Sequence, residues 1–204
     1  ATLAVEEEKV LFINYDGNLS TLRKFSRETY DVTNGPTSWN DIKKMLRDPM
    51  IGKYKTIVLD NCTGLGRILL SELVASGERP GIQDYGLAAE RMRAMLSNMK
   101  DLATSSDQNV IAIAHTRITT DSVTGAATGN PSLPGQVPAL AASLFPELIF
   151  MYNQGDKYTA YFNKRTLFPA ATRVLDGKPI VNPNLREIYK EVLAVRQRRN
   201  VKAV

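Results

Sequence analysis

The chain has 204 residues, of which 43% are hydrophobic, and this suffices for one globular domain with a substantial core. Its 26 Lys and Arg residues exceed its 21 Asp and Glu residues, and the resulting net charge of +5 modestly favours a polyanionic partner. One cysteine and one histidine exclude a disulfide framework and a Cys/His metal centre, and no apolar run approaches the roughly 18 residues of a membrane span.

Strands and helices alternate along the first half of the chain. Apolar and β-branched runs predict the strands, and apolar residues at helical spacing predict the helices. The predicted elements are a buried strand at 9–15, an edge strand near 29–32, a helix at 37–48, a buried strand at 55–60, helices at 64–76 and 81–103, and a third buried strand at 109–115.

A long segment without regular structure is predicted next. Residues 116–135, TRITTDSVTGAATGNPSLPG, are rich in Gly, Thr, Ser and Pro, and loops of that length are usually functional or disordered. Strands alternating with helices imply an α/β fold, mostly parallel, with an antiparallel extension near 147–162. The remaining predicted elements are a short helix at 136–144, strands at 147–152 and 158–162, and a final helix at 182–199.

Three of the predicted strands end on a polar residue, namely Asp16, Asp60 and His115. In open parallel sheets, ligands bind outside the carboxyl ends of the strands. These three side chains are therefore predicted to lie at one edge of the sheet and to form the functional site.

Each of these residues also has a plainer interpretation. Asp60, after TIVL, has the form of a Walker B acid that holds Mg²⁺ beside a nucleotide's phosphates, or it caps the following helix. Asp16 orients an attacking water, or it is a turn residue in DGN. His115 senses a phosphate by hydrogen bonding, or it is a buried neutral histidine satisfied by a neighbour. The residues by themselves leave these alternatives open.

Four segments, in order, resemble the core of the RecA-like recombinases, and most of all the phage RecA-like ATPases linked to single-strand annealing. The resemblance implies a single RecA-like three-layer α/β/α domain over residues 1–204 that uses ATP and Mg²⁺. The segments are FINYDGN (12–18), TIVLDNCTGL (56–65), NVIAIAHTR (109–117) and GNPSLPGQVPALA (129–141).

The resemblance implies a role for each polar strand end. Asp16 corresponds to the catalytic carboxylate, Asp60 to the Walker B aspartate that binds Mg²⁺ and nucleotide, and His115 to the residue that couples the γ-phosphate to a DNA-binding loop. Lys164, in YFNKRTLF, resembles a basic residue that reaches the nucleotide of a neighbouring protomer. The implied assembly is a homo-oligomeric ring or filament, without a membrane.

Residues 117–135 correspond to the loop that contacts single-stranded DNA in the family. This loop has one cation and no aromatic residue, so its contacts would come from backbone amides, glycines and hydroxyls, and salt would weaken them. An ordinary mobile loop is the alternative. The implied DNA-binding residues are Arg117, Thr119, Thr120, Gly129, Asn130 and Gly135.

One departure from the family concerns the phosphate-binding loop. The P-loop pattern G-x-x-x-x-G-K-[ST] is absent, and ATLAVEEEKV resembles the second half of the helix that follows it. We therefore expect a fragment of a longer ATPase, and the alternative is a protein that has lost nucleotide binding.

The expected function is that of a DNA-stimulated, Mg²⁺-dependent ATPase of phage-type recombination or single-strand annealing, acting in the host cytoplasm. Two alternatives remain at this stage. One is a non-hydrolysing RecA-fold protein used for DNA binding or assembly, and the other is a related helicase or packaging motor.

Overall fold

A computed structural model gives the fold. It describes residues 9–17, 22, 30–75, 77–106, 108–163, 170–172 and 178–183, together with 188, 190, 192 and 194. The chain divides into two compact units. The first comprises residues 1–116 and 131–140, and the second comprises residues 117–130 and 141–204.

The first unit contains a fully parallel four-stranded sheet with the order β2-β1-β3-β4. All five residues of β1 and the first four of β3 are buried, as expected for strands covered on both faces. The predicted α/β class with a mostly parallel central sheet is confirmed. The strands are β1 (Val10–Asn14), β2 (Tyr30–Asn34), β3 (Thr56–Asp60) and β4 (Asn109–Ala112).

An apolar cluster on one face holds the central strands together. Phe12 on β1 is fully buried, and its register partner on β3 is Val58. The ring of Tyr30 meets Phe12 edge-on, with centroids 5.9 Å apart, and its hydroxyl donates to the Leu22 carbonyl at 2.9 Å. The β-branched and aromatic residues that predicted these strands therefore pack across them.

Three helices accompany the parallel strands in the same unit. Their starts follow capping chemistry: the side chain of Ser38 accepts from the backbone of Asp41, and that of Asn61 accepts from the backbone of Gly64. The methionine stripe of the third helix is buried core, as predicted. The helices are α1 (Trp39–Leu46), α2 (Cys62–Ser71) and α3 (Ile82–Ser105), and a 3-10 turn covers Pro49–Lys53.

The third buried strand predicted from the sequence, at 109–115, corresponds to β4 and differs from the prediction in two respects. Strand β4 ends at Ala112, three residues before His115, and its four residues are half-buried rather than buried. In the described part of the chain β4 pairs only with β3, so it lies at an edge of the sheet. Edge strands retain partial solvent access even when their sequence is apolar.

The segment predicted to be irregular forms two paired strands, β5 (Thr116–Thr120) and β6 (Ala127–Pro131). At the turn, the side chain of Asp121 accepts from the backbone N–H of Val123 and of Thr124, and Gly125 has a φ of +68°. All of β5 is exposed, so no apolar face produced the alternation by which strands are recognised.

The rest of the second unit consists of short antiparallel strands, and the predicted antiparallel extension is confirmed. Most of the final helix predicted at 182–199 lies outside the described residues. None of the helices described here is long and apolar enough to cross a membrane. The helix α4 (Val137–Leu144) spans the division of the chain at residue 141. The strands are β7 (Glu147–Leu148), β8 (Phe150–Gln154), β9 (Lys157–Tyr161), β10 (Ala171–Thr172) and β11 (Ile180–Val181).

Candidate functional site

The strand order creates a switch point at the carboxyl edge of the parallel sheet. The chain leaves β1 towards β2 on one side, whereas it leaves β3 towards β4 on the other. The connections therefore diverge between the ends of β1 and β3, and ligands of open α/β sheets bind in such a crevice. Asp60 ends β3, and Asp16 lies two residues beyond the end of β1.

The Asp60 carboxylate is not the cap of the following helix. That role belongs to Asn61, which is almost fully buried and whose Oδ1 accepts from Gly64 N at 2.8 Å. The peptide bond between Asp60 and Asn61 is cis. Of the two interpretations of Asp60 made from the sequence, helix capping is thus not observed.

Asp16 sits in a turn that Asn14 organises. The side chain of Asn14 is buried, and its Oδ1 accepts from the backbone N–H of Asp16 and of Gly17, both at 3.1 Å. Gly17 has a φ of +74°, which favours glycine at that position. The Asp16 side chain is consequently left exposed at the edge while its backbone is held.

Asp60 feels both its burial and the charge of Asp16. Burial raises the pKa of Asp60, and the negative charge of Asp16 raises it further. A half-buried carboxylate beside a second acid fits a divalent cation, which would relieve the repulsion. No cluster of three or more His, Cys, Asp or Glu side chains suited to a metal occurs among the described residues. The pair therefore fits Mg²⁺, which is commonly held by one or two carboxylates with phosphate and water completing its shell.

His115 is fixed to the same edge by three hydrogen bonds. Its backbone N–H donates to Thr63 Oγ1 at 3.0 Å, and its carbonyl accepts from Ser132 N at 2.7 Å. Its ring Nε2 lies 3.2 Å from Asn61 Nδ2. His115 therefore links the turn after Asp60 to the segment that follows β6, and its exposed side chain is not the buried histidine that was the alternative.

The partners of Asn61 determine the form of the imidazole. The Oδ1 of Asn61 is committed to the Gly64 N–H, so its Nδ2 amide faces His115 as a donor. An amide donor requires an acceptor, so Nε2 of His115 carries no proton and the ring is neutral with its proton on Nδ1. The resulting Nδ1–H is a hydrogen-bond donor for a phosphate or a water.

Tyr15, directly before Asp16, joins the end of β1 to the end of β3 and to the start of α2. Its backbone N–H donates to the Asp60 carbonyl, and its own carbonyl lies so close to α2 that a Cβ at position 64 would come within 2.7 Å of it. Its ring covers Gly35, where a Cβ would meet the ring at 2.2 Å. The Tyr15 hydroxyl is buried without a hydrogen-bond partner among the described residues, and burial raises its pKa.

Cys62, the first residue of α2, is fully buried behind this edge. Burial raises the pKa of its thiol to about 12, so the reactive thiolate is not populated near neutral pH. Cys62 is therefore not a sulfur nucleophile for this edge.

The predicted DNA-binding residues fall in different environments. Arg117, Thr119 and Thr120 are exposed on β5, whereas Gly129 on β6 is buried and Asn130 is half-buried. Gly135 has a φ of +54°, and a Cβ there would lie 2.7 Å from the Cβ of Ala89 on α3. Gly135 thus has a packing role of its own. Lys164 lies outside the described residues.

Sequence reasoning missed several members of the site. Asn61 had a detectable signal, because an Asn three residues before Gly64 at the start of an apolar-periodic run is a typical N-cap. Asn14 and Tyr15 had none, since a single sequence does not show which amide a side chain bonds or which glycine a ring covers.

Comparison with known families decides the broader class. The AAA domain family matches residues 1–174. The chain belongs to this family. No curated protein matches the chain. Among solved structures, the chain is similar to a KaiC-like protein from the hyperthermophilic archaeon Pyrococcus horikoshii, at 13% identity over 86% of this chain and 76% of that one, with a TM-score of 0.42.

Membership of the AAA domain family confirms the coarser part of the resemblance described above. The chain is an AAA-type, nucleotide-binding domain of the P-loop NTPase class. In this class a strand-end aspartate helps to hold Mg²⁺. The family assignment and the crevice between β1 and β3 therefore point to the same edge of the sheet.

Proposed function

We propose that the carboxyl edge of the parallel sheet binds and hydrolyses Mg²⁺-ATP, and that the protein acts on single-stranded DNA in phage-type recombination or annealing. The observation that supports this most directly is the pair Asp16 and Asp60 at the switch point. Asp60 is half-buried, its pKa is raised by burial and by Asp16, and Asn61 performs the capping that would otherwise explain it. Burying an acid in this way is costly unless a cation is its partner.

In this proposal each polar residue of the edge has one task. Asp60 holds Mg²⁺, which would neutralise the phosphate charge that develops during transfer. Asp16, fixed through its backbone by Asn14, orients the water that attacks. His115 offers its Nδ1–H to the phosphate, because Asn61 occupies its Nε2.

His115 is also suited to report the state of the nucleotide. Its carbonyl accepts from Ser132 N, and Arg117 follows it by two residues along the chain. A shift of the ring on phosphate release would therefore be felt by the segments that begin and end the β5-β6 pair. We propose that these exposed strands, with Arg117, Thr119 and Thr120, contact single-stranded DNA, and that Lys164 reaches the nucleotide of a neighbouring protomer in a ring or filament.

The test is ATP hydrolysis by the full-length protein, with Mg²⁺, in the presence and absence of single-stranded DNA. We expect DNA to stimulate turnover and Asp60→Ala to reduce it by about a hundredfold or more, since a bound metal ion supplies several kcal/mol of transition-state stabilisation. Asp101→Ala, which removes an exposed acid from α3, is the matched control and should leave turnover unchanged.

The other outcomes distinguish the competing functions. Turnover that survives Asp60→Ala would contradict the Walker B role of Asp60. Absence of both nucleotide binding and turnover would favour a DNA-binding or assembly protein. Unwinding of, or translocation along, duplex DNA would identify a helicase or packaging motor, whereas pairing of complementary strands alone would identify an annealing protein.

A further inference from the structure

The sheet formed by β11, β9 and β8 has two different faces. Ala160 and Ile180 are register partners on one face, where Ala160 packs with Phe162 and Ile188 in a buried cluster. The opposite face is formed by the alternate residues of the same strands, and we call it the aromatic face. It consists of Phe150, Tyr152, Gln154, Lys157, Thr159, Tyr161 and Val181.

Phe150 makes stacked ring contacts with two tyrosines of the aromatic face, Tyr152 along its own strand and Tyr161 on the neighbouring strand. The ring centroids of Phe150 and Tyr152 are 6.4 Å apart with planes inclined by 29°, and those of Phe150 and Tyr161 are 6.3 Å apart with an inclination of 24°. Tyr152 is the most exposed of the three residues, at 45%. An exposed aromatic ring offers a flat face on which a planar group can stack.

The charge of this region complements an anion. No residue of the aromatic face is acidic, and the exposed Lys157 lies opposite Gln154 at its end. The one acid beside it in the turn is Asp156. The sequence of the whole segment 150–183 contains five Lys and Arg residues and two Asp residues. The formal net charge of the segment is therefore +3.

Exposed rings beside a cation are the combination that binds single strands of nucleic acid without reading their sequence. The β5-β6 pair lacks this combination, because it has no aromatic residue. We infer that the aromatic face stacks the bases of single-stranded DNA, with Tyr152 as the outermost ring and Lys157 contacting the phosphates. The inference rests on the proposed function only for the identity of the partner.

The two exposed tyrosines of this sheet allow a matched experiment. Tyr152 lies on the aromatic face with 45% of its surface exposed, and Tyr158 lies on the opposite face with 52% exposed. Binding of fluorescently labelled oligo(dT) by the full chain, without nucleotide, is followed by anisotropy. We expect Tyr152→Ala to weaken binding about tenfold or more, Tyr152→Phe to retain it because the ring remains, and Tyr158→Ala to leave it unchanged.

Lys157 is tested by the dependence of binding on salt. Removal of one phosphate contact should lower the slope of log affinity against log salt by about 0.7 for a single strand, so Lys157→Gln should show a shallower slope than the unchanged protein. Gln154→Ala, which removes a neutral neighbour on the same face, should leave the slope as it is.

Several results would overturn the inference. Equal losses in Tyr152→Ala and Tyr158→Ala would show that the aromatic face has no special part in binding, and a preference for duplex over single strands would exclude base stacking. Absence of any oligonucleotide binding would overturn it as well. Each of these results is independent of ATP hydrolysis, so the fate of the nucleotide site is decided separately by Asp60→Ala.

Discussion

The carboxyl edge of the parallel sheet and the aromatic face of the antiparallel sheet present their candidate functional groups in opposite ways. At the carboxyl edge, Asn14 and Asn61 are buried, and their hydrogen bonds fix the turns that carry Asp16 and His115. On the aromatic face, Tyr152 and Lys157 are exposed residues of two neighbouring strands.

This difference matches the different demands of the two proposed functions. Phosphoryl transfer depends on groups held within a fraction of an ångström, so a nucleotide site needs a buried supporting shell. Stacking of bases tolerates variation in position, because every base has a flat face, so an exposed surface suffices. Substitutions at the carboxyl edge should therefore affect stability together with function, whereas substitutions on the aromatic face should affect binding alone.

The largest expected effect comes from removing a ring beneath the parallel strands. Phe12 is fully buried and packs on Tyr30 and Val58, so Phe12→Ala should lower the free energy of unfolding by about 3–5 kcal/mol. Tyr158→Ala, on the exposed antiparallel strands, should change it by less than about 0.5 kcal/mol. Urea denaturation of the two variants measures the contrast, and equal losses would contradict it.

Two helical glycines should respond in opposite directions to the same substitution. In Gly64→Ala the new Cβ would lie 2.7 Å from the Tyr15 carbonyl oxygen, so the change should cost about 1–3 kcal/mol despite the better helix propensity of alanine. Gly86 lies within α3 with nothing within 4 Å of its Cβ position, so Gly86→Ala should stabilise by about 0.5–1 kcal/mol. A stabilising Gly64→Ala, measured by the urea midpoint, would show that the carboxyl edge is not tightly packed.

Two helix caps should differ in how much they contribute to the free energy of unfolding. Asn61 is buried and bonds both Gly64 N and His115, so Asn61→Ala should cost about 1–3 kcal/mol. Ser38 caps α1 in an exposed position, and Ser38→Ala should cost about 0.5–1 kcal/mol.

The Asn61 variant has a second readout besides stability. Because the chain has a single histidine, the ¹⁵N NMR signals of its imidazole belong to His115. They should show the proton on Nδ1 in the unchanged protein and lose that preference in Asn61→Ala. Identical imidazole spectra in the two proteins would show that Asn61 does not set the tautomer.

The sequence predicted the parts of the fold that depend on local pattern. The apolar runs of β1 and β3 and the stripe of Met92, Met95 and Met99 lie where they were expected, and the acids at the strand ends meet at one edge. Their predicted roles in binding and catalysis remain predictions. The β5-β6 pair escaped prediction because β5 has no buried face, and burial is what produces alternation in a strand.

Other features depend on contacts between distant residues, which no single-sequence pattern contains. The ring of Tyr15 over Gly35, the bond from Asn61 to His115 and the contact of Phe150 with Tyr161 each join residues from different parts of the chain. The alternation of YTAYF indicated a strand but could not show that Tyr161 would lie beside Phe150. Register, rather than composition, creates the aromatic face.

The smallest expected effect concerns Asp31, at the opposite end of the parallel sheet. There the ionised form of the carboxyl group is favoured, whereas at Asp60 it is disfavoured. On β2, a hydrogen bond from the Tyr54 hydroxyl to Asp31 Oδ2 at 2.7 Å lowers the pKa of Asp31, and Lys9 Nζ, 3.4 Å away, adds to the effect. The same bond raises the pKa of Tyr54 to about 12. Asp31 thus shifts in the direction opposite to Asp60 on the same sheet.

The signs of these shifts define a window of pH for the bond. A lowered carboxyl pKa contributes stability above its ordinary value of about 4, and this stability is lost as the pH falls through the lowered pKa. A raised phenol pKa contributes below its ordinary value of about 10, and this stability is lost as the pH rises through about 12. Tyr54→Phe should therefore destabilise slightly between about pH 4 and pH 10 and match the unchanged protein at the acid and alkaline extremes. A difference in unfolding free energy that stayed constant with pH would show that Tyr54→Phe acts through packing. The hydrogen bond to Asp31 would then not lower the pKa of its carboxyl group.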